Sequence, residues 1–216
     1  ILIMLLYPLS FVGSGNLYDF LEILFLVIAL ICLIRNLWVS YYIVFALAIL
    51  NKESNILLGI YFIAMYFKVY SVKKLGVHTL IHAVVGLPVF FAIRILFSDN
   101  PGGQFWSHLD RNIEFLTQIK NYFLFNDVYA YMIATPRGYN IWTMFLLIVS
   151  VGYSWYKKPL FARRILIISY PLLFLLCLMM GNKDEIRNFS FLFPVIYLLG
   201  LDSVLRMYSA EFKLKK

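Results

Sequence analysis

In 216 residues the chain carries 62% hydrophobic and only 14% charged side chains, where a soluble domain has about 25% charged and 45–50% apolar residues. That surplus is too large for a core of this size to hide, which excludes an ordinary soluble globular fold and leaves lipid as the expected solvent for much of the surface. The net charge of +8 does not mark a nucleic-acid binder, because the basic residues gather at the edges of apolar runs and form no continuous stripe; contact with the anionic headgroups of membrane lipid is the expected use of that charge.

A membrane-spanning helix needs about 20 apolar residues, with a range near 17–25. Taken in chain order, eight segments are expected. The first, Ile1 to Val12, opens with Ile-Leu-Ile-Met-Leu-Leu and has neither a basic leader nor a small-residue cleavage site, so it reads as a truncated helix rather than a signal peptide. The second runs from about Leu17 to Ile34, the third, a short one, from about Leu37 to Leu50, and the fourth from about Asn55 to Phe67. The fifth covers Leu75 to Phe97, the sixth Tyr139 to Tyr156, the seventh Ile165 to Met180 and the eighth Phe189 to about Leu205. Between the fifth and sixth lies a stretch too long for a bare loop. There Phe105, Trp106, Leu109, Ile113, Leu116 and Ile119 fall at mostly helical spacing opposite Asp110, Arg111, Glu114 and Lys120. This pattern predicts an amphipathic helix lying on the outer leaflet, entered through Asn100-Pro101-Gly102-Gly103 and left through Thr135-Pro136-Arg137-Gly138.

The connections sort by charge. Arg35, the Lys68/Lys73/Lys74 group, the Lys157/Lys158/Arg163/Arg164 group and the tail with Arg206, Lys213, Lys215 and Lys216 hold 12 Lys and Arg; the alternate connections hold 6, and Arg94 falls inside a helix. The basic connections are therefore expected inside, with nine of the eleven acids outside or near the outer edge. The expected fold class is an all-α, polytopic integral membrane helical bundle, with about eight membrane segments and one extracytoplasmic interfacial helix. It forms one transmembrane domain over 1–216: five segments in 1–98, the extracytoplasmic loop in 99–138, and three segments with a cytoplasmic tail in 139–216. The expected location is the plasma (inner) membrane, multi-pass, with a cytoplasmic C-terminus. Cys32 and Cys177 both lie in apolar runs and predict no disulfide.

Ionisable residues in or near lipid are functional candidates by default. Lys52-Glu53 lies between two short apolar runs, so this turn is expected to sit below the outer headgroups, where partial desolvation strengthens its charges; a solvated hairpin tip is the plainer reading. Asp184-Glu185-Ile186-Arg187 joins the last two segments. In an extended turn Glu185 and Arg187 share a side, and an Arg there can clamp a phosphate. Asp19 and Glu22, three apart at the start of the second segment, are weaker candidates, since helix capping and the dipole already account for acids there. Arg94 is a further weak candidate, explained by snorkelling. His78 and His82 share a helix face at a spacing that can bind metal, but no third ligand follows locally. No metal site, phosphate-binding glycine loop or nucleophile elbow is predicted.

Tyr18-Asp19 at the head of an apolar helix, the basic break at Arg35 and the later Asn51-Lys52-Glu53-Ser54 form one half of a pattern. Lys157-Lys158-Pro159-Leu160-Phe161-Ala162-Arg163-Arg164, then Glu185-Ile186-Arg187 and Phe193-Pro194, form the other. Over about Tyr18 to Leu199 the chain resembles bacterial members of the C-type membrane glycosyltransferase superfamily. The resemblance implies transfer of a sugar from a polyprenyl-phosphate carrier to a glycan or lipid acceptor on the extracytoplasmic side. It also implies a catalytic acid in the first outer loop, between the first two helices, often with a divalent metal or basic residues holding the phosphate. The chain departs from that pattern by opening inside a helix, so the catalytic loop is expected upstream and no catalytic residue or metal ligand is assigned. Lys52, Glu53, Glu185 and Arg187 are the expected cavity or carrier-phosphate contacts. A secondary transporter or channel, a non-catalytic membrane subunit and a polysaccharide polymerase or ligase remain alternatives; Pro88, Pro171 and Pro194 are positions where a transporter would break its helices.

Overall fold

The computed structural model describes residues 17–99, 107–126, 135–136, 139–181 and 186–214. Among the described residues the chain folds into eight α-helices: α1 (Leu17–Ile34), α2 (Trp38–Asn51), α3 (Leu58–Tyr66), α4 (Val72–Leu96), α5 (Leu109–Thr117), α6 (Ile141–Gly152), α7 (Leu160–Met180) and α8 (Phe193–Leu214). Four short 3₁₀ segments and one antiparallel ladder, Phe125 with Pro136 and Asn126 with Thr135, complete the described elements. The fold is thus all-helical apart from that ladder.

Three helical stretches are long and apolar enough to cross a membrane: Val72–Leu96, Leu160–Met180 and Phe189–Ser209. The expectation of about eight spans is met only in part, and for a local reason. The apolar runs around Lys52 and Trp155 do not stay α-helical from end to end. A 3₁₀ stretch, Glu53–Leu57, precedes α3, and another, Trp155–Lys157, follows α6. What remains as α-helix is 9 residues in α3 and 12 in α6, or about 14 and 18 Å, against a hydrocarbon layer of about 30 Å. The last helix departs the other way, running on to Leu214 rather than stopping near Leu205.

The core forms where α1 to α3 meet α7, α8 and the 3₁₀ segment Ile186–Leu192, around Leu26, Leu33, Phe45, Leu58, Tyr61, Ile165 and Leu199, all fully buried. α1 and α2 form a tight antiparallel hairpin. Asn36 takes the left-handed conformation (φ 57°) that Asn tolerates best after Gly, and Leu37 N–H donates to Cys32 O at 2.8 Å, closing the end of α1. α4 lies at the edge. Among its 25 residues only His82 and Gly86 are buried, and it presents Leu80, Val84, Phe91 and Ile95 outward. It packs on α2 at Gly86, where a Cβ would come within 3.0 Å of the Phe45 ring. His82 donates or accepts with Tyr41 Oη at 2.8 Å, and His78 with Tyr42 Oη at 2.7 Å. The two histidines are therefore pinned among the aromatics of α2, and no group of three or more metal-ligating side chains occurs among the described residues.

The amphipathic helix expected between the fifth and sixth segments is α5, followed by the 3₁₀ turn Ile119–Phe123. Ile113 and Ile119 of its apolar face are exposed, while Asn112 and Phe115 turn inward and are buried. Asn112 Nδ2 reaches Gly181 O at 2.7 Å, Leu178 O at 2.9 Å and Cys177 O at 3.2 Å, and His108 N–H donates to Met179 O at 2.8 Å. α5 thereby satisfies carbonyls that the C-terminus of α7 would otherwise leave without partners. The entry turn 100–103 lies outside the described residues, as do Arg137 and Gly138 of the exit turn.

Charge sorts by end of the bundle. Arg164 Nη1 donates to Phe67 O, and Arg206 pairs with Asp202 at 2.7 Å and donates to Lys157 O. Lys158, buried, donates to Leu199 O and to Ser203 Oγ. Burial drives the Lys158 pKa down; Asp202 opposes that shift and Arg206 adds to it. These basic connections share one end, and the acids of α1 lie at the other.

Candidate functional site

The acidic end is built from three sequence-distant pieces. Asp19 and Glu22 stand three apart in the first turns of α1 and so share a face. Lys52 follows the last residue of α2 with an extended backbone (φ −157°, ψ 123°), which turns its side chain back toward α1. Its ammonium donates to Glu22 Oε2 at 2.7 Å and to Asp19 Oδ1 at 3.1 Å. Ser190, in the 3₁₀ segment before α8, donates its hydroxyl to the same Glu22 oxygen at 2.8 Å. One residue further on, Phe191 O accepts from Tyr61 Oη. Glu53 turns the other way and pairs with Arg94 Nη2, near the end of α4, at 2.7 Å.

The electrostatics differ sharply within this cluster. The Asp19 and Glu22 side chains are 3% and 2% exposed and Lys52 is 29% exposed, whereas Glu53 and Arg94 are each 33% exposed. Burial alone pushes the Lys52 ammonium down, but the Glu22 and Asp19 carboxylates together outweigh it and hold its pKa above the usual lysine value. Lys52 is therefore a firmly charged clamp over two buried carboxylates. The Glu53–Arg94 pair beside it is open enough to meet a ligand.

The structure thus rearranges the candidate list. Lys52 and Glu53 are partly exposed, at 29% and 33%. Asp19 and Glu22, weak candidates on spacing alone, become the centre of the site: their side chains turn onto Lys52 rather than only capping α1. Arg94 is held by a carboxylate instead of merely snorkelling. Glu185 lies outside the described residues, and so does the side chain of Arg187, whose backbone belongs to the 3₁₀ segment Ile186–Leu192. That segment reaches the site through Ser190. Ser190 itself escaped sequence reasoning; a hydroxyl in a polar-flanked apolar run carries no charge signal.

A cavity of about 550 Å³ lies elsewhere, between α6, α7 and α8, and none of the ionic residues of the acidic end lines it. No protein-family model, curated protein or solved structure matches the chain.

Proposed function

We propose that the chain belongs to a multi-pass membrane enzyme of glycosyltransferase type, which moves a sugar from a polyprenyl-phosphate carrier to a glycan or lipid acceptor at the acidic, extracytoplasmic end of the bundle. The observation that carries this reading is the convergence of Lys52 and Glu53 on Asp19, Glu22 and Arg94 at a single end. When the bond between sugar and phosphate breaks, the phosphate leaves with the electron pair, and fixed cations near the headgroup region lower the barrier by meeting that charge. Arg94 and Lys52 serve that role, with Glu53 orienting the guanidinium and the two buried carboxylates orienting the ammonium. The positive-inside rule puts the opposite, lysine- and arginine-rich end in the cytoplasm. About eight segments then fill the membrane, the short α2 and α6 turning Val39, Ile43, Trp142 and Ile148 outward toward lipid.

In the intact protein, Glu53→Gln or Arg187→Ala should abolish glycan transfer from a polyprenyl-phosphate donor while membrane insertion stays normal. Unchanged transfer in both variants overturns the reading. One observation favours a second one: Asp19 and Glu22 are almost fully enclosed, as the ion-coupling acids of a closed transporter are. Gradient-driven uptake into proteoliposomes that is lost in Glu22→Gln would support transport instead.

A further inference from the structure

The cavity between α6, α7 and α8 has features unrelated to the acidic end. α6 and α7 each pack on α8 and leave a cleft between them. Its walls are apolar, with Leu147 and Val151 from α6, Leu166 and Tyr170 from α7 and Ile196 from α8. Ile148 and Ile167 also line it and are exposed, so it opens sideways. Two of the three helices around it, α7 and α8, contain stretches long and apolar enough to cross a membrane, so in a bilayer an opening between their apolar flanks would face acyl chains. Its volume of about 550 Å³ falls within the range of about 300–1,000 Å³ for pockets that enclose one small ligand. At Gly152, on its wall, an added Cβ would meet nothing within 4 Å, so the space is open there as well.

The basic end of the cleft is chemically distinct. Trp155 lines it, and the Arg163 guanidinium lies over the Trp155 ring, 5.9 Å from its centroid. Arg163 Nε is buried and has no hydrogen-bond partner among the described residues. Arg163 and Arg164 stand at the start of α7, which has no acid in its first turn, so their charge adds to the positive end of the helix dipole. Lys157, just before α7, is exposed. Its neighbours are committed elsewhere: Arg164 to Phe67 O, Lys158 to Leu199 O and Ser203. The Arg163 guanidinium over Trp155, the exposed Lys157 two residues beyond that tryptophan and the N-terminus of α7 together gather positive charge at one end of a chain-sized apolar slot.

We propose that this cleft binds one anionic phospholipid, with an acyl chain between α6 and α7 and its phosphate against Arg163 and Lys157. The charge of the mouth selects the lipid, and the slot holds its chain. The site stands apart from the proposed transfer site and does not depend on it.

The test uses the full chain purified in mild detergent, with phosphatidylglycerol or phosphatidylcholine added, read by native mass spectrometry and thermal unfolding. One phosphatidylglycerol per chain should remain bound and raise the Tm, with phosphatidylcholine binding about tenfold or more weakly. The double variant Arg163→Gln, Lys157→Gln should bring phosphatidylglycerol down to the phosphatidylcholine level. Gly152→Leu should lose both lipids; if it does not fold, Ile148→Trp closes the slot from its exposed rim. Equal binding of the two lipids, an intact preference in the double variant, or a retained adduct in a folded slot-filling variant overturns the proposal. So does equal protection by inorganic phosphate alone, or displacement of phosphatidylglycerol by an isoprenyl phosphate at equal concentration.

Discussion

Lys52 shows how a single side chain can hold two helices to each other. Its ammonium is the described cation between two carboxylates that have almost no access to solvent, and removing one partner of a buried ion cluster leaves charge uncompensated at a cost of about 3–5 kcal/mol. Lys52→Met should therefore lower the Tm far more than the triple change Lys52→Met, Asp19→Leu, Glu22→Met, which removes all three charges; thermal unfolding of both variants in detergent checks this. The pH dependence has a definite sign. Because the folded protein raises the Lys52 pKa, its contribution is complete below the ordinary lysine value of 10.5 and declines as pH climbs through the raised one. Wild-type stability should accordingly lose, above that pH, an advantage over Lys52→Met that is constant from neutral to pH 10. At this scale the sequence was half legible. Lys52 and Glu53 stand out because ionisable groups between apolar runs are costly. Their partners do not, because Asp19, Glu22 and Arg94 lie 30 to 41 positions away and only the folded backbone brings them near.

Among the elements, α5 is the one whose position depends most on a polar contact. The Asn112 amide has two protons and three carbonyl acceptors within 3.2 Å, so one proton is shared. Asn112→Ala removes that cap and should free α5 at a cost of about 1–3 kcal/mol. Hydrogen exchange over 109–117 should quicken in this variant while that of α2 stays unchanged; equal protection would deny the cap its role. Helical spacing found α5 within a few residues but not its Asn112 anchor, because periodicity ranks residues by hydropathy and cannot see that the neighbouring surface is a row of carbonyls. The same blindness explains α3 and α6. Their apolar composition continues through Glu53–Leu57 and Trp155–Lys157, and composition alone does not report where the α ladder changes to 3₁₀ or stops.

At the scale of the whole molecule, helical class and the bilayer-ready stretches followed from composition, which needs no long-range contact to be read. The number of crossings did not follow, because a short apolar helix packed inside a bundle and a short membrane span look alike in sequence. The sorting of charge to two ends gives a direct check on orientation. Single cysteines at Ser54 and at Tyr156, which is 89% exposed, should label from opposite sides of sealed vesicles, Ser54 from the extracytoplasmic side. Labelling of both from one side would contradict the topology proposed above.

The edge position of α4 has one more consequence. Pro88 has no N–H to offer Val84 O, so the backbone ladder of α4 is interrupted between its buried half and Arg94. The far half is held by Val89, Phe90 and Ile93 against the core and by the Glu53–Arg94 contact, which water and ions can reach and which fades as ionic strength rises. Brine should therefore loosen the last turn of α4 around Arg94 while apolar packing keeps the rest of the helix in place and the enclosed Asp19 and Glu22 carboxylates keep their hold on Lys52.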